Sequence, residues 1–193
     1  MTSAVPATTL SPAEYLRRER LAPFRSEYHR GQIVAMPGTD RIHARIVTNL
    51  LTSLDTQLLD RPCNVYSNEL RLSIQGGEHY VYPDVVITCG EETFEDDQFD
   101  CLVNPIVLVE ILSLSSEGYD RGEKFLNYQQ IPSLREYVLV SQSSRRLEVF
   151  RKQPDGSWLY QSSPFSPPPL HLESIDCTLS PDEVYRKVEV AGG

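Results

Sequence analysis

VNPIVLVEILS, residues 103–113, reads as a β-strand buried on both faces: Ile106 to Val109 run without a polar interruption, Pro105 leads in, and Ile111 and Leu112 close it. Glu110 stands in the middle of that run. Strand alternation puts it on the face of Ile106, Leu108 and Leu112. An ionised carboxylate there costs several kcal/mol unless a cation, a hydrogen-bond donor or a metal meets it. Nothing adjacent in sequence supplies that partner, so the fold has to bring one.

Upstream, NVYSNELRLSIQ (64–75) alternates, with Tyr66, Leu70, Leu72 and Ile74 facing one way and Ser67, Glu69, Arg71 and Ser73 the other. After a turn at Gly76-Gly77-Glu78, HYVYPDVVIT (79–88) returns as its antiparallel partner. Pro83 cannot donate a ladder hydrogen bond and marks an edge, a bulge or a strand start, with Asp84 next to it. Before this hairpin, a helix from about Asp40 carries Ile46, Val47, Leu50, Leu51, Leu54 and Leu58 as a core stripe. A capping box at Ser11-Pro12-Ala13-Glu14 opens a short helix to about Arg20, and SEYHRGQIVAMPG (26–38) gives two short strands around Arg30-Gly31.

Downstream, residues 113–119 read as loop, and Asp120 with Glu123 starts a helix that runs to about Gln130 before Pro132. REYVLVSQ (135–142) is a strand, and RRLEVFRK (145–152) pairs with SWLYQ (157–161) around Asp155-Gly156. SPFSPPPL (163–170) is a proline-rich connection before a short helix over 181–188. Residues 1–9 read as a disordered lead and 10–190 as a single domain.

Composition narrows the function. No apolar run approaches the roughly 20 residues of a membrane span, and the N-terminus has no basic-then-apolar signal pattern, so the expectation is a cytoplasmic protein. Cys63, Cys89, Cys101 and Cys177 have no C-x-x-C spacing, which favours reduced thiols over disulfides or a zinc site. The formal charge of −9 argues against indiscriminate binding to nucleic acid. Any such contact must be local or helped by metal ions. GEETFEDDQFD (90–100) reads as an exposed acidic loop.

Three residues then need a joint explanation: Asp84 at the head of one apolar strand, Glu110 within the next, and Lys124 in the first turn of the following helix. Adjacent strands lie about 4.8 Å apart, so aligned carboxylates repel and either raise a pKa or recruit a cation. Magnesium or manganese suits such oxygens, lowers the pKa of a bound water and neutralises charge on a phosphoryl oxygen. A lysine aimed at the same pocket positions that water or stabilises the transition state.

Pro83-Asp84, Glu110 and the helix-strand-strand-strand-helix-strand order resemble the PD-(D/E)XK nuclease superfamily, and more closely its Uma-two-type branch. The carriers are EYHRGQIVAM (27–36), IHARI (42–46), ELRLSI (69–74), YPDVVI (82–87), VLVEILSLSS (107–116), DRGEKFLNY (120–128) and REYVLV (135–140). The resemblance implies an α/β (α+β mixed sheet) protein: the restriction-endonuclease-like fold, with a central mixed β-sheet flanked by helices. It implies a metal-dependent endonuclease acting on DNA, with a homodimer as partner state. Asp84, Glu110 and the carbonyl of Ile111 would hold Mg2+ or Mn2+, Lys124 would orient the attacking water, and Glu27 would assist at the metal. Two departures stand out. Leu112 occupies the position where the superfamily expects lysine, which moves that role to Lys124 on the helix. Ser113-Leu114-Ser115-Ser116 replaces the branch's usual Ser-Pro-Ser-Thr.

Each residue also has a plainer reading. Asp84 caps a turn, Glu110 pairs with a buried arginine or is protonated, Lys124 pairs with Asp120 on an exposed face, Glu27 is solvated at a strand edge, and His43 packs or caps. The competing function is a catalytically inactive homologue that serves as a binding or oligomerisation module.

Overall fold

The computed structural model describes residues 9–36, 38–162 and 168–190. Residues 1–8 of the expected disordered lead (1–9) and 163–167 of the proline-rich connection (163–170) lie outside those residues. Helix α1 (Pro12–Glu19) starts where Ser11 Oγ accepts the Glu14 N–H at 3.3 Å, with proline in its first turn. Strands β1 (Ser26–His29) and β2 (Gln32–Ala35) form the expected hairpin, with Arg30 and Gly31 at φ 46° and 96°. Helix α2 (Arg41–Leu58) is capped by Asp40 and buries Ile46, Leu50, Leu54 and Leu58 as its spacing requires. Among the described residues no helix is long and apolar enough to cross a membrane.

The long hairpin of residues 64–88 differs from its sequence reading. Each arm is two strands rather than one: β3 (Cys63–Ser67) and β4 (Arg71–Ile74), then β5 (His79–Val81) and β6 (Val85–Cys89). β4 pairs with β5 and β3 with β6, but the two pairs belong to different sheets. The break falls at Tyr82-Pro83-Asp84, where proline interrupts the ladder. Arg71 and Ser73, on the polar side of the alternation, are buried as well. Arg71 donates to the Tyr82 hydroxyl at 2.9 Å and lies 5.7 Å from the Tyr15 ring centroid, because α1 covers that face. At the hairpin tip Gly77 has φ +90°, and a Cβ there would stand 2.5 Å from Tyr80 Oη.

A two-residue strand, β7 (Cys101–Leu102), runs parallel to β4 and completes a five-stranded sheet ordered β2-β1-β5-β4-β7. The remaining strands are β8 (Val107–Leu112), β9 (Glu136–Ser141), β10 (Leu147–Lys152) and β11 (Trp158–Ser162). They join β3 and β6 in a six-stranded sheet ordered β11-β10-β9-β8-β6-β3. β8 and β9 are parallel and the other neighbours antiparallel, so this is the expected central mixed sheet. One of its faces packs on α2 through Val85, Ile87, Val107, Val109 and Ile111. Val86, Leu108, Tyr137 and Leu139 line the other face, against Phe125 and Tyr128. Ile106, placed by alternation with Glu110, instead packs on the α2 side, since it precedes the regular strand.

Between β8 and β9 the helix begins earlier than Asp120. It consists of α3 (Glu117–Tyr119), a π-helical turn over Asp120–Lys124, and α4 (Phe125–Tyr128). Asp120 is therefore not the cap: its N–H donates to Ser116 O at 2.9 Å and its side chain is buried. A small hairpin, β12 (Leu170–Leu172) with β13 (Cys177–Leu179), had no clear sequence signal, and the closing helix α5 (Pro181–Val184) is shorter than residues 181–188.

The cysteine expectation needs one correction. Cys63 and Cys89 are directly opposed on β3 and β6, with Cα atoms 4.0 Å apart, and form a disulfide. Strand pairing brings together residues 26 apart in sequence, which no local spacing rule can detect. Cys101 and Cys177 are free and buried.

Candidate active site

Val85 pairs with Val109 across the antiparallel β6–β8 ladder. Asp84 immediately precedes that pair on the chain leading into β6, and Glu110 immediately follows it on β8. Val86 and Leu108 share one face of the sheet, so alternation puts Asp84 and Glu110 on that same side. Asp84 Oδ2 accepts the Ile111 N–H at 2.8 Å, and Oδ1 lies 2.9 Å from His43 Nε2. Glu110 Oε1 accepts from Lys124 Nζ and from the Tyr128 hydroxyl, each at 2.7 Å. Lys124 Nζ also lies 3.5 Å from Asp120 Oδ1 and 3.9 Å from Glu27 Oε1. Glu27 Oε1 accepts the Tyr82 N–H at 3.4 Å, and Oε2 lies 3.3 Å from His29 Nε2.

The π-helical turn accounts for much of this convergence. Asp120, Lys124 and Tyr128 recur every four residues and so share one face of the helix, turned towards Glu110. π-bulges widen a helix locally and recur at functional sites. The exposed Lys124–Asp120 pairing allowed by the sequence does not occur on the surface: both side chains are buried and Glu110 is the nearer carboxylate.

Glu27, Asp84, Glu110 and Asp120 are four buried carboxyls around one buried ammonium, Lys124. Burial pushes the Glu110 carboxyl well above its ordinary range; Lys124 opposes that rise, while Asp84 and Asp120 add to it. Burial likewise raises Asp84, against the pull of His43 and of the Ile111 N–H. For Glu27 burial acts upwards too, but Lys124, His29 and the Tyr82 N–H outweigh it and the carboxyl is lowered. Burial works against the Lys124 ammonium, yet Glu110, Glu27 and Asp120 together raise its pKa. The site holds more acid than its own cation neutralises.

All five residues line a cavity of about 640 Å³, together with His43 and the serines at 113, 115 and 116. That volume lies within the roughly 300–1,000 Å³ range of ligand sites. Ser113 Oγ lies 3.0 Å from the hydroxyls of both Ser115 and Ser116, so the altered loop is held by its own hydroxyls and leaves Lys124 aimed at Glu110.

Whether a divalent ion suits this site turns on the donors. Asp84, Glu110 and the Ile111 carbonyl offer oxygen only, which fits a hard cation. Magnesium is commonly bound through one or two carboxylates and keeps several waters. Among the described residues no group of three or more His, Cys, Asp and Glu side chains converges as a metal cage. Waters or substrate oxygens would therefore complete the coordination.

The structure brings Asp84, Glu110, Lys124 and Glu27 to one cavity. His43, read as a packing or capping residue, sits on Asp84. Tyr128 is a site residue that the sequence reading does not single out, and Asp120 reads there as a helix start rather than as a site residue. Their four-residue spacing on either side of Lys124 is the signal that links them.

A model of the Uma2 family, described as "Putative restriction endonuclease", matches residues 12–180. The uncharacterized protein slr1290 of Synechocystis sp. is 37% identical over 186 residues, covering 95% of each chain. The uncharacterized protein sll1609 of the same organism is 38% identical over 157 residues, covering 80% of this chain and 89% of its own. Among solved structures, one described as a putative nuclease belonging to DUF820 from Anabaena variabilis superposes with a TM-score of 0.76 at 18% identity. It covers 93% of this chain and 99% of that one. The architecture is the restriction-endonuclease-like fold.

Proposed function

The chain belongs to the Uma2 family, and on that footing we propose that it is a metal-dependent endonuclease that hydrolyses phosphodiester bonds in DNA. The observation that carries this reading is that Asp84, next before the Val85–Val109 pair, and Glu110, next after it, line one cavity with Lys124 Nζ 2.7 Å from Glu110. Asp84, Glu110 and the Ile111 carbonyl hold magnesium or manganese, which when bound supplies a lowered pKa for a coordinated water and charge neutralisation at a phosphoryl oxygen. Lys124 presents a fixed positive charge to the attacking water and the developing charge on phosphate. His43 fixes the carboxylate of Asp84, and Glu27 holds the far side of the lysine. Cutting both strands would use a homodimer.

The test is incubation of plasmid DNA with the purified protein and Mg2+ or Mn2+, beside Asp84→Ala and Lys124→Ala. The wild type nicks or linearises the plasmid and both variants lose at least most of that activity. Equal cleavage by all three removes the proposal.

One observation favours a second reading, a retired homologue acting as a binding module: the ammonium of Lys124 already sits against the carboxylates. Calorimetric titration with magnesium separates the two, since a retired site shows no binding that depends on Asp84.

A further inference from the structure

His29 and His79 are directly paired across β1 and β5, and their Nδ1 atoms lie 3.0 Å apart. Two bare ring nitrogens repel at that distance, so one of them carries the proton. The other end of each ring decides which. His79 is 3% exposed, and its Nε2 is buried with no hydrogen-bond partner among the described residues. His29 Nε2 faces Glu27 Oε2 at 3.3 Å and the Tyr119 hydroxyl at 3.2 Å.

Suppose His29 held its proton on Nδ1. Its bare Nε2 could then accept from the Tyr119 hydroxyl but would face the carboxylate of Glu27, and His79 would bury an orphaned Nε2–H. In the opposite arrangement the His79 Nδ1–H donates to His29 Nδ1, and the His29 Nε2–H donates to Glu27. Only the second arrangement gives both inner protons an acceptor, leaving a lone pair rather than a donor stranded at His79 Nε2. Burial also lowers the pKa of His79, in keeping with a neutral ring.

We propose that His79, which makes no contact with the cavity, is a positioning residue: it fixes His29 as the Nε2–H tautomer, and His29 in turn holds Glu27 towards Lys124. The tautomer and the Glu27 contact follow from these distances and from the buried, unpartnered Nε2 of His79. Their effect on turnover rests on the nuclease reading given above.

The experiment is NMR of the ring nitrogens in full-length protein carrying 15N-histidine, with the Glu27 side-chain carboxyl carbon followed in parallel. Wild type, His79→Asn and His79→Asp are compared at neutral pH. The His79→Asn amide can donate from the place of Nδ1, whereas the His79→Asp carboxylate can only accept. Wild type and His79→Asn should both show His29 protonated on Nε2 and bare on Nδ1. His79→Asp should move the proton to Nδ1 and shift the Glu27 carboxyl signal. A wild-type spectrum with His29 protonated on Nδ1 overturns the proposal, even if His79→Asp fails to fold. So does a Glu27 signal that is identical in all three proteins. Where the wild type cuts plasmid, kcat should fall about tenfold in His79→Leu, the lower end for an outer-shell partner. KM should stay unchanged, and His79→Asn should restore kcat. An unaltered kcat in His79→Leu overturns the positioning role. Absence of cleavage by the wild type removes the nuclease reading and leaves the tautomer to the spectra.

Discussion

Lys124 Nζ lies 2.7 Å from Glu110 Oε1, and both side chains are buried. Taking two such charges out of water costs several kcal/mol per ion, and mutual attraction offsets that only while both partners remain. Lys124→Met therefore leaves a buried carboxyl that must either stay charged without a partner or take up a proton at a cost. Urea unfolding at neutral pH should show a loss of about 3–5 kcal/mol, the range for removing one partner of a buried pair. Adding Glu110→Gln should recover most of it. A Lys124→Met loss that Glu110→Gln fails to relieve would mean that the lysine stabilises the fold in some other way.

The carboxyls around Lys124 should respond to pH with opposite signs. Glu110 is raised well above its ordinary 4.5, chiefly by burial, so the folded protein binds that proton more tightly than the unfolded chain does. Its contribution is present in full below pH 4.5 and is lost as the pH rises through the folded value. Glu27 is lowered from 4.5, where Lys124 and His29 outweigh burial; its contribution is present above 4.5 and is lost as the pH falls through the folded value. Thermal melts across pH should show the wild type losing ground to Glu110→Gln as the pH rises from 4.5. Against Glu27→Gln it should gain ground from acid towards 4.5. Slopes of the same sign for both variants would contradict these assignments.

His43 Nε2 lies 2.9 Å from Asp84 Oδ1 and restricts the orientation of that carboxylate. Partners that orient a ligating group are typically worth 10–100-fold in metal affinity or activity. His43→Ala should therefore weaken magnesium binding about tenfold or more in calorimetry, with no comparable fall in melting temperature. An unchanged affinity would return His43 to a packing role.

The Cys63–Cys89 disulfide closes a segment with a sequence separation of 26. Loop-closure entropy for that length gives about 3.5 kcal/mol. Cys63→Ser with Cys89→Ser should lower stability by about that amount in guanidinium unfolding. In the denatured wild-type protein, without reductant, the buried cysteines Cys101 and Cys177 should react with a thiol reagent while Cys63 and Cys89 do not. Four reactive thiols would show the pair to be reduced.

The site was more legible in the sequence than its supports were. A glutamate inside an apolar strand and an aspartate at the head of its neighbour are visible one strand at a time, because alternation is a local rule. Lys124 was visible from its place just downstream of Glu110, and the resemblance then gave it a role. The split of residues 64–88 between two sheets was hidden because period-two alternation continues across a break, and only Pro83 signalled it. The disulfide, the His43–Asp84 contact and the His29–His79 pair all join distant segments. Their partners are fixed by strand register and helix docking, which one chain's local pattern does not encode.

The most direct measurement is a manganese anomalous difference map from crystals grown at saturating Mn2+. The expected result is a peak within about 2.5 Å of carboxylate oxygens from both Asp84 and Glu110, an oxygen-ligand distance for a hard divalent cation. An empty map, with Lys124 Nζ still seated on Glu110, would contradict it.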